Sequence, residues 1–366
     1  MTTNIVLLGI SFLIIILGAE LFTNGVEWLG VRLKLSEGAV GSVLAAVGTA
    51  LPETLIPVVA IVFFRDAASH EVALGAILGA PFMLATLGFF VTAGAALVYR
   101  RRRETGIRLN IDRGVLQRDL GFFVPLYAAA IAVSFAPTGH WGRPAVAVAL
   151  VLAYGVYLYL NLRETMEGEK NEPLTFNLMW AWFPLVAVPR NRGVYAERRE
   201  FIAGRQPRLR ACLGQVAVAL GLIVAGAYQF VHAVQAITQI VGFSPLLFSL
   251  ILAPIATELP EKFNSVIWVR QGKDTLSLGN ISGAMVFQST FPVTLGILLT
   301  EWRFSDMEMG DCALLSAGIA LFSAILVIAT AGRGRGDDRT MAPWALAVGI
   351  LWWFVFVGYV VVTKIL

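Results

Sequence analysis

Residues 48–53 read Gly-Thr-Ala-Leu-Pro-Glu, and residues 256–261 read Ala-Thr-Glu-Leu-Pro-Glu. Each stretch lies within an apolar segment long enough to cross a bilayer, and each places a proline beside a carboxylate there. Proline removes one backbone hydrogen bond from a helix, and a charged carboxylate at the bilayer centre costs at least about 2.5 kcal/mol. Because both costs recur at matching places, the pattern favours an ion site formed between two halves of the chain.

The similarity of the two halves extends beyond these stretches. When the two halves are aligned without a gap so that Glu53 falls on Glu261, identical residues coincide over a stretch about as long as two helices. The coincident pairs are Gly18-Ala19 with Gly226-Ala227, Phe22 with Phe230, Val26 with Val234, Ser36 with Ser244, Leu44-Ala45 with Leu252-Ala253, and Thr49 with Thr257. Further on, residues 74–80 resemble residues 278–284, with the spacing shortened by four residues. The chain is therefore interpreted as an internal duplication.

Composition indicates an all-α membrane protein. Hydrophobic residues make up 57% of the 366 residues and charged residues 14%, with a mean hydropathy of +0.75. A water-soluble domain of this length would not carry that balance. Ten segments approach or exceed the roughly 20 residues that a spanning helix needs. They are residues 5–29, 39–64, 72–98, 120–135, 145–160, 212–240, 245–269, 276–299, 312–330 and 343–362.

The distribution of basic residues predicts the orientation. Most of the 28 lysines and arginines fall in alternate loops, including a run of arginines from Arg100 to Arg118. Cytoplasmic loops carry the excess of basic residues, so both termini are predicted to lie outside the cytoplasm. The membrane is predicted to be the cell (inner) membrane. The net charge of +4 then reflects topology and anionic headgroups, not nucleic acid.

Five spans in each half is an odd number, so the second half must enter the membrane upside down. The predicted organisation is a first five-helix repeat over residues 1–162, a cytoplasmic connection over 163–210 and a second five-helix repeat over 211–366. Two inverted repeats with a site near the midplane are typical of secondary transporters. Within the connection, residues 174–188 are apolar but too short to span, which favours an interfacial segment over an eleventh helix.

At these residues a family resemblance becomes specific. Residues 48–53 and 256–261 resemble the two Gly-Thr-Ser-Leu-Pro-Glu repeat motifs of the sodium/calcium exchanger membrane family, within the cation/Ca²⁺ antiporter superfamily. Residues 279–284, Gly-Asn-Ile-Ser-Gly-Ala, resemble the Gly-Asn-x-x-Gly-Ser-Asn stretch of the following helix. The resemblance covers essentially the whole chain and implies ten spans and an outside N-terminus.

The resemblance also implies a set of cation ligands. The family's central ligands fall on Thr49, Glu53, Thr257 and Glu261, and we expect Glu258 and Gln288 to complete the site. Calcium takes six to eight oxygen ligands, which carboxylates, hydroxyls and carbonyls opened around the motif prolines would supply. The alternatives are a structural role for each carboxylate and, for each threonine, a hydrogen bond to its own helical turn.

This chain departs from the family pattern at several positions. Ala50 and Glu258 stand where a serine follows each threonine, and the next helix of each half has lost polar side chains. The residues at those later positions are Ala80, Pro81 and Leu84 in the first half and Ala284, Met285 and Gln288 in the second, of which only Gln288 could still offer a side-chain oxygen. The predicted site therefore has fewer oxygens for sodium and one more carboxylate. For this reason the sequence leaves the coupling ion open between Na⁺ and H⁺. Lys262 lies four residues after Glu258 and either neutralises it or extends toward the membrane surface.

Other polar residues within predicted spans are Glu20, Asn24, Glu27, Gln229, His232 and Gln235. They either line the ion pathway or form helix–helix hydrogen bonds. Several classes of site have no support: the sequence holds no His-Glu-x-x-His pair, no phosphate-binding Gly-Lys-[Ser/Thr] loop and only two cysteines, at the starts of different spans. We therefore expect no enzyme activity, no nucleotide and no cofactor other than the transported ions.

The sequence predicts a secondary active antiporter that exchanges Ca²⁺, or a similar divalent cation, for Na⁺ or H⁺ by alternating access. The expected partners are the lipid bilayer and inorganic cations, and the oligomeric state is open. Two alternatives remain at this stage. One is a degenerate family member that binds a cation without exchange, as a sensor or scaffold. The other is an exchanger of another divalent cation such as Mg²⁺ or Mn²⁺, because all of these prefer oxygen ligands.

Overall fold

The computed structural model describes residues 1–32, 45–136, 141–165, 209–307, 309–331 and 340–365. The first half forms helices α1 (Thr2–Arg32), α2 (Ala45–Val59), α3 (Ala67–Met83), α4 (Phe89–Tyr99), α5 (Arg113–Ala132) and α6 (Gly142–Thr165). A π-helical turn over Ala60–Phe64 extends α2, and another over Leu84–Gly88 joins α3 to α4. The predicted interfacial segment at residues 174–188 lies outside the described residues.

The second half forms α7 (Leu209–Val241), α8 (Pro245–Arg270), α9 (Asp274–Gln288), α10 (Phe291–Leu299), α11 (Gly310–Ala331), α12 (Trp344–Ala347) and α13 (Gly349–Val360), with a π-helical turn over Val361–Ile365. Short 3₁₀ turns cover Arg100–Arg102, Val133–Phe135 and Phe304–Asp306. Strands β1 (Leu109–Asn110) and β2 (Thr340–Met341) pair antiparallel. Local capping explains several helix starts: Asp66, Asp112 and Ser244 each accept a backbone N–H of the first turn that follows.

Within the described residues, eight helical segments are long and apolar enough to cross a membrane. The other two predicted spans contain α2 and α8, where the apolar helical segments within the described residues are Leu51–Phe64 and Pro245–Ile255. The helical class is confirmed, whereas the count of ten spans stays a prediction.

Helices α1 and α7 occupy equivalent places in the two halves and pack together along most of their length. Their contact is reciprocal. A Cβ added at Gly18 would lie 2.8 Å from Cγ1 of Ile223, and a Cβ added at Gly226 would lie 2.8 Å from Cγ1 of Ile15. In the register of the repeat, Gly18 corresponds to Gly226 and Ile15 to Ile223. The two helices therefore run antiparallel about a local two-fold axis.

A second close contact joins α3 of the first half to α8 of the second. Gly75 approaches the carbonyl of Leu246, and Gly79, one turn later, approaches the carbonyl of Leu250, so closely that no side chain fits at either glycine. The order of these contacts makes the two helices parallel. Small residues four apart permit such approaches in membrane helices, where dispersion and not the hydrophobic effect drives association.

Polar contacts identify the loops that share each end of the bundle. At one end, Gln235 donates to Asp66 at 2.9 Å. At the other end, Arg103 donates two hydrogen bonds of 2.6 Å to the carboxylate of Asp274, and both side chains are fully buried. Arg103 also donates to the carbonyl of Val269. This buried pair fixes the loop after α4 against the start of α9.

The arginine-rich loop lies at the Arg103 end of the bundle. Its strand β1 pairs with β2, and Arg108 donates to Thr340 at 2.7 Å. The loops that precede α5, α9 and α12 therefore meet at one end of the bundle. This agrees with the distribution of basic residues, which predicts that these loops lie on the same side of the membrane. At the start of α6, Arg143 donates to the carbonyl of Glu301 at 2.7 Å, at the end marked by Asp66.

The third span of each half is interrupted at an equivalent point. In the first half the interruption is the π-helical turn Leu84–Gly88, and in the second it is the turn between α9 and α10. Thr86 donates to the carbonyl of Phe82 at 2.6 Å, and Thr290 donates to that of Val286 at 3.0 Å. These bonds correspond in the register of residues 74–80 with 278–284, so the interruption occurs at the same position in both halves.

The motif prolines do not interrupt their helices. Helix α2 runs through Pro52 and α8 runs through Pro260. The expected opening of the chain at these positions is therefore limited to the hydrogen bond that each proline cannot make. Neighbouring helices can satisfy the freed backbone groups in a membrane bundle, which is consistent with α2 and α8 continuing through their prolines.

The glycine contact between α3 and α8 leads to a test of the packing. We expect Gly79→Ala to lower the midpoint of thermal unfolding in detergent, because the added methyl group meets the Leu250 carbonyl. Overpacking of this kind costs about 1–3 kcal/mol. Gly94→Ala, in α4, is the matched control, since no atom lies within 4 Å of its Cβ position. Its midpoint should be unchanged or raised, as alanine favours a helix over glycine by about 0.5–1 kcal/mol; equal midpoints for the two variants would contradict the packing.

Candidate functional site

Glu53 is a buried carboxylate in α2, with a relative exposure of 6%. Leu51 and Leu55, two residues to either side, pack against residues of α1 and α7. Two residues correspond to about 200° of rotation around a helix, so Glu53 points away from α1 and α7. It faces the side on which α2 contacts α3, α8, α9 and α10.

Glu258 is the second buried carboxylate, on α8, and it has a charged partner on its own helix. Lys262 Nζ donates to Glu258 Oε2 at 2.6 Å. The side chains of Glu258 and Lys262 are 2% and 12% exposed. The other oxygen, Oε1, is buried and has no hydrogen-bond partner among the described residues. Of the two alternatives for Lys262, the structure thus shows the pairing with Glu258.

Thr257 is buried, and its hydroxyl donates to the carbonyl of Ala253 at 3.2 Å. This is the alternative anticipated for a threonine in a membrane helix, and the hydroxyl oxygen still has a lone pair to offer a cation. Thr49 lies in α2 and Glu261 in α8, but their side chains are outside the described part of the structure. Their role as ligands stays a prediction.

Gln288 ends α9, directly before the interruption of the third span. Its side chain is 2% exposed, and its carbonyl oxygen Oε1 has no hydrogen-bond partner within the described part of the chain. Buried polar atoms are nearly always hydrogen-bonded, so an exception calls for an explanation. An amide oxygen left open in this way is suited to a cation ligand.

The helices that carry these residues contact one another. Helix α2 packs against α8, α9 and α10, and α8 packs against α9. Glu53, Glu258 and Gln288 are thus buried on helices that pack against one another. Carboxylate and amide oxygens are the ligands that hard cations such as Ca²⁺ and Na⁺ bind. The described residues contain no group of three or more histidine, cysteine or acidic side chains that could hold a metal ion.

The polar residues predicted along α1 and α7 differ in their burial and in their hydrogen-bond partners. Asn24 is buried, and it accepts a hydrogen bond of 3.0 Å from Gln215 across the α1–α7 contact. Glu20 and His232 are exposed on the outer faces of their helices. Gln235 donates to Asp66 at the end of the bundle. Glu27 lies in α1, but its side chain is outside the described part. For Asn24 the structure shows the helix–helix alternative.

Sequence reasoning missed a buried acid, Asp119 in α5, which is 2% exposed. It accepts hydrogen bonds from Ser282 at 2.7 Å and from Tyr157 at 3.1 Å. Because Asp119 directly follows Arg118, the sequence assigns it to the end of the basic loop and not to a span. Because α5 begins at Arg113, Asp119 lies almost two turns inside the helix, a placement that an earlier helix start in the sequence prediction would have identified.

The family model described as "Sodium/calcium exchanger protein" matches residues 3–163 and 212–363. The chain belongs to this family. The two matched parts coincide with the two halves on either side of the connection, and together they contain every predicted site residue. Membership of the exchanger family also makes the chain a multi-pass integral membrane protein of a transporter family, not an enzyme family.

Individual relatives are distant. CaxA of Alkalimonas amylolytica, a candidate antiporter, is 28% identical over 142 residues, which is 38% of this chain and 41% of CaxA. The crystal structure of the H⁺/Ca²⁺ exchanger CAX matches with a TM-score of 0.68 and 16% identity, over 98% of this chain and 86% of CAX. The sodium–calcium exchanger NCX_Mj matches with a TM-score of 0.55 and 15% identity, over 98% of each chain. At these identities the two structures share the exchanger fold with this chain.

The side-chain oxygen of Gln288 has no hydrogen-bond partner in the described part of the chain. We therefore expect Gln288 to contribute measurably to cation binding. We expect Gln288→Leu to weaken the stabilisation of the native state by Ca²⁺, because a ligand that binds only the native state stabilises it by RT ln(1 + [L]/Kd). Loss of one oxygen should raise the Ca²⁺ concentration needed for a given rise of the unfolding midpoint about tenfold, or about 1.4 kcal/mol. Gln271→Leu, at an exposed position after α8, is the control; equal Ca²⁺ responses in both variants would exclude Gln288 as a ligand.

Proposed function

We propose that this chain is a secondary active antiporter that exchanges Ca²⁺, or a similar divalent cation, for Na⁺ or H⁺ by alternating access. The observation that carries the proposal is the burial of Glu53 and Glu258 on the motif helices of opposite halves. Helices α2 and α8 are in contact, and membership of the exchanger family supplies the class of reaction.

The proposed cation ligands are Glu53, Glu258, Glu261, Thr49, Thr257 and Gln288. Carboxylates alone would not complete the six to eight oxygens that calcium takes. The hydroxyls and the amide oxygen of Gln288 add neutral ligands, and each motif proline leaves one backbone carbonyl without its helical donor. A divalent cation could therefore lose its water and keep its coordination inside the bundle.

The proposed topology has ten spans in two inverted five-helix repeats, with both termini outside the cell membrane. The antiparallel, reciprocal contact of α1 with α7 supports the inversion. The meeting of the loops before α5, α9 and α12 at one end supports the alternation, and the arginines of that end favour the cytoplasm. An inverted pair of halves is suited to alternating access, because each half can open the site toward one side.

Flux measurements test the proposal. Purified chain in proteoliposomes should take up radioactive Ca²⁺ when an outward gradient of Na⁺ or of H⁺ is imposed, and the gradient that drives uptake identifies the coupling ion. Glu53→Gln and Glu261→Gln should each lower the initial rate at least tenfold, since each removes a charged ligand from a site of few oxygens.

Glu104→Gln, in the exposed loop after α4, should leave the rate unchanged. Folding of each variant is checked by its thermal unfolding midpoint in the same detergent. Folded wild-type protein that takes up no Ca²⁺ under either gradient would contradict exchange of this ion. Ca²⁺-dependent stabilisation without uptake would instead favour a protein that binds the cation and does not exchange it.

A further inference from the structure

Lys262 lies deep within α8, eight residues, or about 12 Å, before the end of the helix at Arg270. A lysine at that depth can extend its flexible side chain toward the nearer surface. Here the ammonium instead contacts Glu258 Oε2, one turn back toward the start of the helix, at 2.6 Å. The side chain of Lys262 is 12% exposed and that of Glu258 is 2% exposed. The ion pair is therefore part of the bundle interior.

The ammonium occupies the position that a cation bound to this carboxylate oxygen would take. Calcium binds carboxylate oxygens at about 2.3–2.6 Å, and Lys262 Nζ lies 2.6 Å from Glu258 Oε2. Two cations cannot share that position, so a calcium ion on Oε2 requires the ammonium to leave. Coordination of a cation by Oε2 and the ion pair are therefore mutually exclusive.

The second oxygen of Glu258 does not avoid this competition. Oε1 is buried and has no hydrogen-bond partner among the described residues, so it is open to a cation. A cation on Oε1 would nevertheless be separated from the ammonium by a single carboxylate group. Like charges at such a distance repel strongly in a low dielectric, and the repulsion is twice as large for a divalent as for a monovalent cation. Lys262 therefore opposes cation binding at either oxygen of Glu258.

A second partner for the ammonium lies on the same face of α8. Lys262 is four residues after Glu258 and three before Ser265, and side chains at these spacings are neighbours on a helix surface. The hydroxyl of Ser265 is fully buried and has no hydrogen-bond partner in the described part of the chain. Buried polar groups without a partner call for an explanation. The hydroxyl oxygen of Ser265 can accept a hydrogen bond from an ammonium that turns toward the Arg270 end.

We propose that Lys262 is an internal competitor for the transported cation: its ammonium holds Glu258 until the cation binds and then moves along α8 to the hydroxyl of Ser265. The proposal rests on the proposed exchange function and adds a residue that sets the affinity of its site. When the cation leaves, the ammonium returns to Glu258, so this carboxylate is not left without a positive partner in the bilayer, where a lone charge is costly. Lys262 thereby weakens binding and favours release of the cation.

Calcium affinity tests the competition. The full-length chain in detergent is titrated with Ca²⁺ at constant pH, and calorimetry gives the dissociation constant. Lys262→Met removes the competing charge and should lower that constant about tenfold, whereas a lysine that only held Glu258 in place would leave binding weaker when removed. Lys273→Met, at an exposed loop lysine, is the matched control and should leave the constant unchanged. Lys262→Gln keeps a hydrogen-bond donor beside Glu258 and should also bind Ca²⁺ more tightly, which covers the case in which Lys262→Met does not fold.

Ser265→Ala tests the second position of the ammonium. In the wild-type background it should raise the dissociation constant for Ca²⁺ about fivefold, because the displaced ammonium loses its acceptor. In the Lys262→Met background, where no ammonium moves, it should have no effect. A serine with only a packing role would change the constant equally in both backgrounds, and that result would overturn the transfer to Ser265.

The failure of the competition is distinguishable from the failure of the proposed function. Wild-type Ca²⁺ binding that is unchanged or weakened in the folded lysine variants would overturn the competition and leave calcium exchange intact. Folded wild-type protein that binds no Ca²⁺ would instead reject the proposed calcium exchange, and the competition with it.

Discussion

The cost of charge inside a bilayer organises this structure. A charge removed from water needs a partner at close range, and the buried charges each have a different kind of partner. Arg103 and Asp274 form a bidentate pair at one end of the bundle, Asp119 accepts two hydroxyl donors, and Glu258 pairs with a lysine on its own helix. The first two fix helices against each other. Of these three carboxylates, Glu258 keeps one oxygen, Oε1, without a hydrogen bond in the described part of the chain, which leaves that oxygen able to contact an ion.

The scaffold is more symmetric than the chemistry it carries. Helices α1 and α7 make reciprocal contacts, and Thr86 and Thr290 make corresponding hydrogen bonds at the interruption of each third span. The polar side chains differ: Gln288 corresponds to Leu84, and Glu258 to Ala50. Packing contacts involve both halves at once, so a change in one half must be matched in the other. A ligand position has no such constraint, because one site needs only one complete set of oxygens.

Sequence alone could predict the helical class, the family and the burial of Glu53 and Glu258, because apolar length and a repeated motif are local patterns. It placed the expected opening of the backbone at Pro52 and Pro260, yet both helices continue through them. The interruption at Leu84–Gly88 has no proline within it and depends on packing around the third span. Asp119 was missed because the predicted span began one residue after it, whereas the helix begins at Arg113; its hydrogen-bond partners, Ser282 and Tyr157, lie on other helices.

The contact between Gly18 and Ile223, repeated between Gly226 and Ile15, has an evolutionary consequence. An interface in which each side presents the same glycine and isoleucine is self-complementary, like the isologous interface of a two-fold dimer. A half-length ancestor with these two residues three apart could bury the same surface against its own copy, inserted in the opposite orientation. Fusion of the two genes would then preserve an existing assembly, after which each copy could diverge without losing its partner.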